Sequence, residues 1–234
     1  MRQIFLDTET TGLESKLGHR IIEIAAVEMI NRTLTGRRFH NYLNPDRKVE
    51  AGALQIHGLT DDFLQDKQKF FDITNELLEF IDGAELIMHN APFDVGFLNN
   101  ELGLVKLKPL ENYCHSITDT LKMAKKLHPG KRNNLNALCE RYQINNSKRV
   151  LHGALLDAEL LAEVYLAITR GQESLVMEIS FPQRDINITP HDIELISLPA
   201  NTEELKLHTE QLELIDRESK GACLWKNVEQ STTK

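Results

Sequence analysis

The sequence predicts an α/β fold, a mixed sheet flanked by helices. Three observations carry that expectation. Three strand-like segments come first, and a short polar turn between the second and third suggests an antiparallel hairpin beside strand one. Helix-like and strand-like segments follow in alternation, which places helices on the faces of the sheet. The last segment before residue 171 is a long run with a helical apolar stripe, suited to packing on such a face.

The elements follow in chain order. Residues 3–8 (QIFLDT) form an apolar run that reads as a buried strand, and 10–20 form a polar loop with Gly12 and Gly18. Residues 21–30 (IIEIAAVEMI) are apolar with β-branched positions and read as a second strand. Residues 31–45 begin with turn residues and continue as a partly alternating strand closed by Pro45. Thr60 stands where it can cap a helix over DDFLQD, whose acids suit a first turn. Residues 71–83 carry Ile73, Leu77, Leu78 and Ile81 at helical spacing and end at Gly83. AELIMHN (84–90) reads as a strand, and 91–103 as a helix begun near Pro92 and stopped by Gly103. NYCHSIT (112–118) is a fifth strand, followed by helices over DTLKMAKKL and over 133–142, where Leu135, Leu138 and Cys139 form the apolar side. The helix over 153–171 buries Leu156, Leu160, Leu161, Val164, Tyr165 and Ile168 and stops at Arg170 and Gly171.

Past Gly171 the pattern breaks. SFPQRDINITP (180–190) has two prolines and little periodicity and reads as a linker. Residues 201–221 are again helical, with Leu205, Leu212 and Ile215 apolar and Asn201 and Glu204 spaced as a capping box. A lone amphipathic helix cannot bury its stripe by itself, so this tail should dock on something. The expected division is a domain over 1–171, a connecting segment over 172–200 and a docking tail over 201–234.

Composition narrows the class. A net charge of −8 argues against a protein that holds nucleic acid through a broad basic surface. Residues 178–234 carry eleven Asp/Glu against six Lys/Arg, so most of the excess lies in the tail and the first 177 residues are near neutral. Cys114, Cys139 and Cys223 are far apart and show no metal spacing, which fits reduced thiols. Asp7 and Glu9 fall where an apolar leader would lie, and no run approaches a membrane span. A soluble, intracellular protein is expected.

The chemistry is suggested by acids in apolar surroundings. Asp7 and Glu9 alternate onto one face of a strand, with Cα atoms about 6.6 Å apart. Near an apolar core they raise each other's pKa unless a cation lies between them. Hard oxygen ligands at this spacing suit Mg²⁺ or Mn²⁺, although a solvated strand end is the plainer alternative. Asp94 stands just inside a helix start after a strand, which the helix dipole alone would also favour. His152 and Asp157 are about 500° apart on an α-helix and cannot share a helical face. His152 in the loop before Gly153, with Asp157 on the helix, lets both approach one point. A loop histidine and a surface acid are the alternative, but Asp157 lies beside the apolar stripe, where an unpaired carboxylate is costly. Together, four acids and one histidine can be aimed at one site from three elements. That set suits two-metal phosphoryl chemistry with histidine as the base.

FLDTETTGL, HNAPFDVGF and HGALLDAE resemble the three motifs of the DEDD family of 3′→5′ exonucleases, and the His-x4-Asp spacing resembles its histidine branch. Residues 31–47, 129–142, 145–167 and 202–225 further resemble the epsilon subunits, the proofreading exonucleases of bacterial DNA polymerase III. The resemblance runs over nearly the whole chain and is weakest at 178–198. It implies a ribonuclease-H-like fold and two divalent ions, Mg²⁺ or Mn²⁺. It makes Asp7, Glu9 and Asp157 metal ligands that also meet the substrate, has Asp94 complete the acidic set, and makes His152 the general base. IHG (56–58) resembles a substrate-side element and puts His57 near the terminal nucleotide. The family often has an acid five positions before that histidine, where this chain has Gly52; Glu50 stands nearby.

QESLVM resembles a peptide that binds the beta sliding clamp, with Gln172, Leu175 and Met177 as anchors; a helix end is the alternative. The tail is implied to bind the polymerase III alpha subunit through Leu205, Leu212, Ile215 and Trp225. A theta subunit is a further implied partner, the substrate is a frayed single-stranded 3′ DNA end, and the expected location is the cytoplasm, at the nucleoid. Two other readings stay open: a stand-alone RNA-trimming exonuclease, which would not need the tail, and a non-catalytic scaffold between polymerase and clamp.

Overall fold

In a computed structural model of the chain, all five strand segments join one sheet. The structure describes residues 1–147, 149, 151–170, 199–219, 221 and 225. The strands are β1 (Arg2–Thr10), β2 (Ile21–Ile30), β3 (Thr33–Tyr42), β4 (Glu85–Met88) and β5 (Ser116–Asp119), in the order β3-β2-β1-β4-β5. β1 and β2 pair antiparallel, as do β2 and β3, while β4 runs parallel to both β1 and β5. The expected hairpin is therefore β2–β3, and it adds to the edge of β1.

Side-chain alternation on β1 splits the core into two layers. Ile4 and Leu6 point to the face covered by α3 (Phe70–Ile81) and α4 (Ala91–Leu104), among Ile73, Leu77, Phe97 and Leu98. Phe5 points to the other face. There it packs with Leu135 and Leu138 of α6 (Leu135–Tyr142) and with Leu161 and Val164 of α7 (Ala154–Thr169). Thr120–Leu127 forms α5, capped by Asp119, whose carboxylate accepts from Leu121 N and Lys122 N.

Several boundaries move, each for a local reason. β1 continues through Thr10, so Asp7 and Glu9 lie within the strand and not at its end. The fifth strand starts at Ser116 instead of residue 112, because Leu110–Asn112 forms a 3₁₀ turn. α4 passes through Gly103 and ends after Leu104, since an isolated glycine weakens a helix without stopping it. One helix was not anticipated: α1 (Ala51–His57), which is followed by the four-residue α2 (Asp61–Leu64). Thr60 caps α2 as expected, with its Oγ1 accepting from Phe63 N at 3.3 Å.

The described residues form two units, one on either side of the span 171–198, which is outside the described residues. The second unit contains α8 (Thr202–Glu218). Asn201 and Glu204 form its capping box; Leu212 is buried, while Leu205, Ile215 and Trp225 are exposed. Gln172, Leu175, Met177 and Cys223 also lie outside the described residues. Among the described residues, no helix is long and apolar enough to cross a membrane.

Candidate active site

The carboxyl ends of parallel β1 and β4 open into a cavity of about 480 Å³. Such ends are where open α/β sheets commonly place a ligand. Asp7, Glu9, Asp94, His152 and Asp157 all line this cavity, as does His57. The residues singled out for chemistry in the first unit thus share one space, although they come from β1, α4, α7, α1 and a loop.

Each is positioned by a local device. Asp7 and Glu9 leave β1 on the α7 side, opposite Ala25 and Glu23 of β2. Between them Thr8 points the other way, and its Oγ1 donates to Asp94 Oδ1 at 2.8 Å. Asp94 occupies the first turn of α4, which starts abruptly from β4 because Asn90 adopts a left-handed conformation, φ 71°. Asn tolerates that region better than most residues. His152 lies before α7, as the spacing requires, and its N–H donates to the Ile56 carbonyl at 3.0 Å. That bond joins the His152 loop to α1 and so to His57. Gly58 permits the close approach: at φ 73°, a Cβ there would stand 2.7 Å from Leu151 Cδ1. The start of α7 is held by buried Glu23, which accepts from Ala154 N at 3.1 Å and meets His40 Nε2 at 2.7 Å.

The electrostatics are those of crowded acids. Burial, then the charges of Asp94, Asp157 and Glu9, push the Asp7 carboxyl well above the usual carboxylate range. Burial, followed by Asp157 and Glu23, pushes Glu9 up to about 8. Burial raises Asp94 to about 7 against the opposing hydrogen bond from Thr8. Burial and the nearby Arg149 charge lower His152, which favours the neutral ring at neutral pH. His57 is lowered by burial, and its Nδ1 accepts from Leu59 N at 3.0 Å.

One ligating atom each from Glu9, His152 and Asp157 lies within 4.8 Å of the other two, the only such group among the described residues. Asp7 and Asp94 line the same cavity outside that group. The donor set is mainly carboxylate oxygen with one imidazole, and the raised acids are those that a bound cation would relieve. This fits a hard divalent ion.

Several participants were not found from sequence. Arg149 grips Asp157 through Nε–Oδ1 (2.5 Å) and Nη2–Oδ2 (2.6 Å). It was findable only as a cation close in sequence to Asp157, with Lys148 an equal candidate. Asn136, on α6, holds Arg149 Nη1 at 2.7 Å and carried no signal. His89 lines the cavity with Nδ1 2.9 Å from Thr120 Oγ1, and in the sequence it reads only as the end of a strand. Gly52 and Glu50 both line the cavity; a Cβ at Gly52 would meet nothing within 4 Å, and Glu50 pairs with His19 Nε2 at 3.1 Å.

Comparison with known proteins bears on this geometry. The profile of an exonuclease family (RNase_T) matches residues 4–165. The DNA polymerase III subunit epsilon of Salmonella typhimurium is 50% identical, covering 96% of this chain and 97% of the relative. That of Escherichia coli is 48% identical over the same shares, and that of Pasteurella multocida is 48% identical over 96% and 93%. Among solved structures, exonuclease X in complex with 5′ overhanging duplex DNA superposes with a TM-score of 0.57 at 25% identity, covering 72% of this chain and 92% of that one. The nuclease domain of 3′hExo, a DEDDh family member bound to rAMP, gives a TM-score of 0.63 at 18% identity, covering 74% and 92%, a likeness of fold. The fold is thus ribonuclease-H-like, that of the DEDD exonucleases, a family that depends on divalent metal. The chain belongs to the epsilon-subunit family of bacterial DNA polymerase III, with an exonuclease domain over residues 4–165.

Proposed function

We propose that this chain is the proofreading 3′→5′ exonuclease of a DNA polymerase III holoenzyme, removing mispaired 3′-terminal nucleotides one at a time as nucleoside 5′-monophosphates. The observation that carries the reading is the convergence of Asp7, Glu9, Asp94, His152 and Asp157 on one cavity of nucleotide size.

In this reading Asp7, Glu9 and Asp157 hold two divalent ions, Mg²⁺ or Mn²⁺, and Asp94 completes the set. Bound there, the ions would supply positive charge for the attacking and leaving oxygens of the phosphodiester. The chain's own groups do the rest. His152, neutral near pH 7, accepts the proton of the attacking water at its unprotonated ring nitrogen. A bond forms from that water to phosphorus while the bond from phosphorus to the 3′ oxygen of the preceding nucleotide breaks. His57 and the apolar wall of Leu13, Ile56 and Phe93 bound the space for the terminal nucleotide. A cavity of this size favours a frayed end over a base pair, so a mismatch is selected because it unpairs at lower cost.

The tail serves as the tether. α8 leaves Leu205 and Ile215 exposed beside buried Leu212, and Trp225 is 68% exposed, which supports docking on the alpha subunit. The linker then supplies a high local concentration of the nuclease. Gln172, Leu175 and Met177 would engage the beta clamp, and theta is a further candidate partner. Work at the cytoplasmic replisome follows. The intact set of acids and histidine speaks against a mere scaffold, and the 96% coverage by epsilon relatives speaks against a stand-alone RNA trimmer.

The test is digestion of matched and mismatched primers with Mg²⁺ or Mn²⁺. The wild type should shorten the mismatched primer faster, and Asp7→Ala should show no shortening. Activity untouched by that substitution would sink the assignment of the centre. Deletion of residues 180–234 should keep nuclease activity and end co-purification with the polymerase.

A further inference from the structure

The cavity contains a buried cation that the reaction above does not use. The Arg149 side chain is 5% exposed and is the only Lys or Arg among the described residues that line the cavity. Its guanidinium takes both oxygens of Asp157, at 2.5 and 2.6 Å, in a bidentate pair. Nη1 donates to Asn136 Oδ1 at 2.7 Å, and Nη2 also reaches His152 Nδ1 at 3.1 Å. A guanidinium only donates hydrogen bonds, so the Nδ1 it meets must carry the lone pair, and the proton of the neutral ring sits on Nε2. A neutral imidazole has one lone pair. Held in this way, His152 has none left for a water molecule.

We infer that Arg149 is an internal stand-in for the divalent cation: without metal it covers Asp157 and masks the basic nitrogen of His152, and metal binding must displace it. The inference rests on the metal-dependent reaction proposed above. Two cations that claim the same carboxylate oxygens exclude each other, so whatever strengthens the Arg149 pair weakens metal binding by linkage. Metal loading and unmasking of the base are then one event. An empty site holds its own base blocked, and a loaded site frees it.

The test is Mn²⁺ binding by calorimetry on the full-length chain. Arg149→Gln should bind Mn²⁺ at least about tenfold more tightly than wild type, because the competing cation is gone. Asn136→Ala, which removes one bond to the guanidinium and leaves its charge, should tighten binding about threefold. Arg149→Gln should also melt at lower temperature than wild type without metal and match it with saturating Mn²⁺. Side-chain ¹⁵N spectra of metal-free wild type should show His152 protonated on Nε2, and Mg²⁺ should shift its Nδ1 resonance. Unchanged or weaker Mn²⁺ affinity in Arg149→Gln, with normal binding by wild type, overturns the stand-in role and leaves the exonuclease reading intact. An Nδ1-protonated ring in metal-free wild type overturns the masking. No Mn²⁺ binding by wild type overturns the metal centre and this inference with it. Should Arg149→Gln not fold, Asn136→Ala decides, and unchanged affinity there overturns the role.

Discussion

Among the described residues, the acids of the scaffold and those of the cavity differ in how their charge is met. In the scaffold each has its own donors. Glu101 is gripped by Arg20 through two bonds of 2.7 Å and also accepts from Ile21 N at 3.3 Å. Glu28 accepts from Arg2 at 2.7 Å, Thr35 at 2.8 Å and Arg37 at 3.1 Å. Glu85 accepts from Gln3 at 2.8 Å and Thr118 at 2.6 Å. In the cavity the one arginine among the described lining residues, Arg149, pairs with Asp157, which leaves Asp7, Glu9 and Asp94 without a paired lysine or arginine there. Scaffold acids are satisfied by folding alone, whereas Asp7, Glu9 and Asp94 are left wanting a cation. A cluster of carboxylates thus marks a site when the chain supplies fewer cations than the cluster has charges.

The largest effect expected from breaking this contrast is on catalysis. His152→Ala should lower the rate by about 10²–10⁴-fold, the contribution of a positioned proton acceptor, with little change in thermal stability. Single-turnover digestion and a melting curve on the same preparation check both halves; a comparable loss of stability would erase the distinction.

Next is the reverse case. Arg20→Ala leaves Glu101 buried at 1% exposure with a single long bond from Ile21 N. It should destabilise the chain by about 3 kcal/mol, the lower end for breaking a buried pair because Arg20 is partly exposed. Urea titration measures this, and the cavity chemistry should survive in the fraction that stays folded.

The pH dependence of metal-free stability should then separate the groups by sign. Glu9 is raised by burial and its acidic neighbours from 4.5 to about 8. Its stabilising protonated form is fully present below 4.5, and that contribution is lost as pH rises through about 8. Burial pushes Glu28 upward, but hydrogen bonds from Arg2 and Thr35 and the Arg37 charge overcome this and hold it below 4.5. Its contribution is present above 4.5 and is lost as pH falls through its lowered value. Glu9→Gln should flatten the alkaline limb of the melting profile and Glu28→Gln the acid limb. An alkaline limb unchanged by Glu9→Gln would contradict the crowding of charge in the cavity.

The smallest effect expected is that of Thr8→Val, which removes the donor to Asp94 and should cost about 1 kcal/mol. Without that bond Asp94 holds its proton more tightly, so the pH profile of digestion should move toward alkaline values.

Much of this is legible in the order of the residues. Continuous apolar runs mark β1 and β2 because both faces of these strands are buried, and helical spacing marks α3 and α7 because one stripe of each packs on the sheet, so the order of residues reveals them. α1 was not legible, because AGALQIH is mostly exposed and short, with weak periodicity and Gly52 inside it. The bounds of β5 were hidden for a related reason: four residues hold little pattern.

The residue types and spacings alone determined which acids and which histidine could do phosphoryl chemistry. His152 had to leave the helix to meet Asp157, since the rotation per residue is fixed by backbone geometry. The tertiary structure alone decided how their charge is met. Arg149 reaches Asp157 and Asn136, and Thr8 reaches Asp94, across 8, 13 and 86 residues. Hydrogen bonds and Coulomb forces act through space over a few ångströms. A linear sequence displays only the neighbours along the chain.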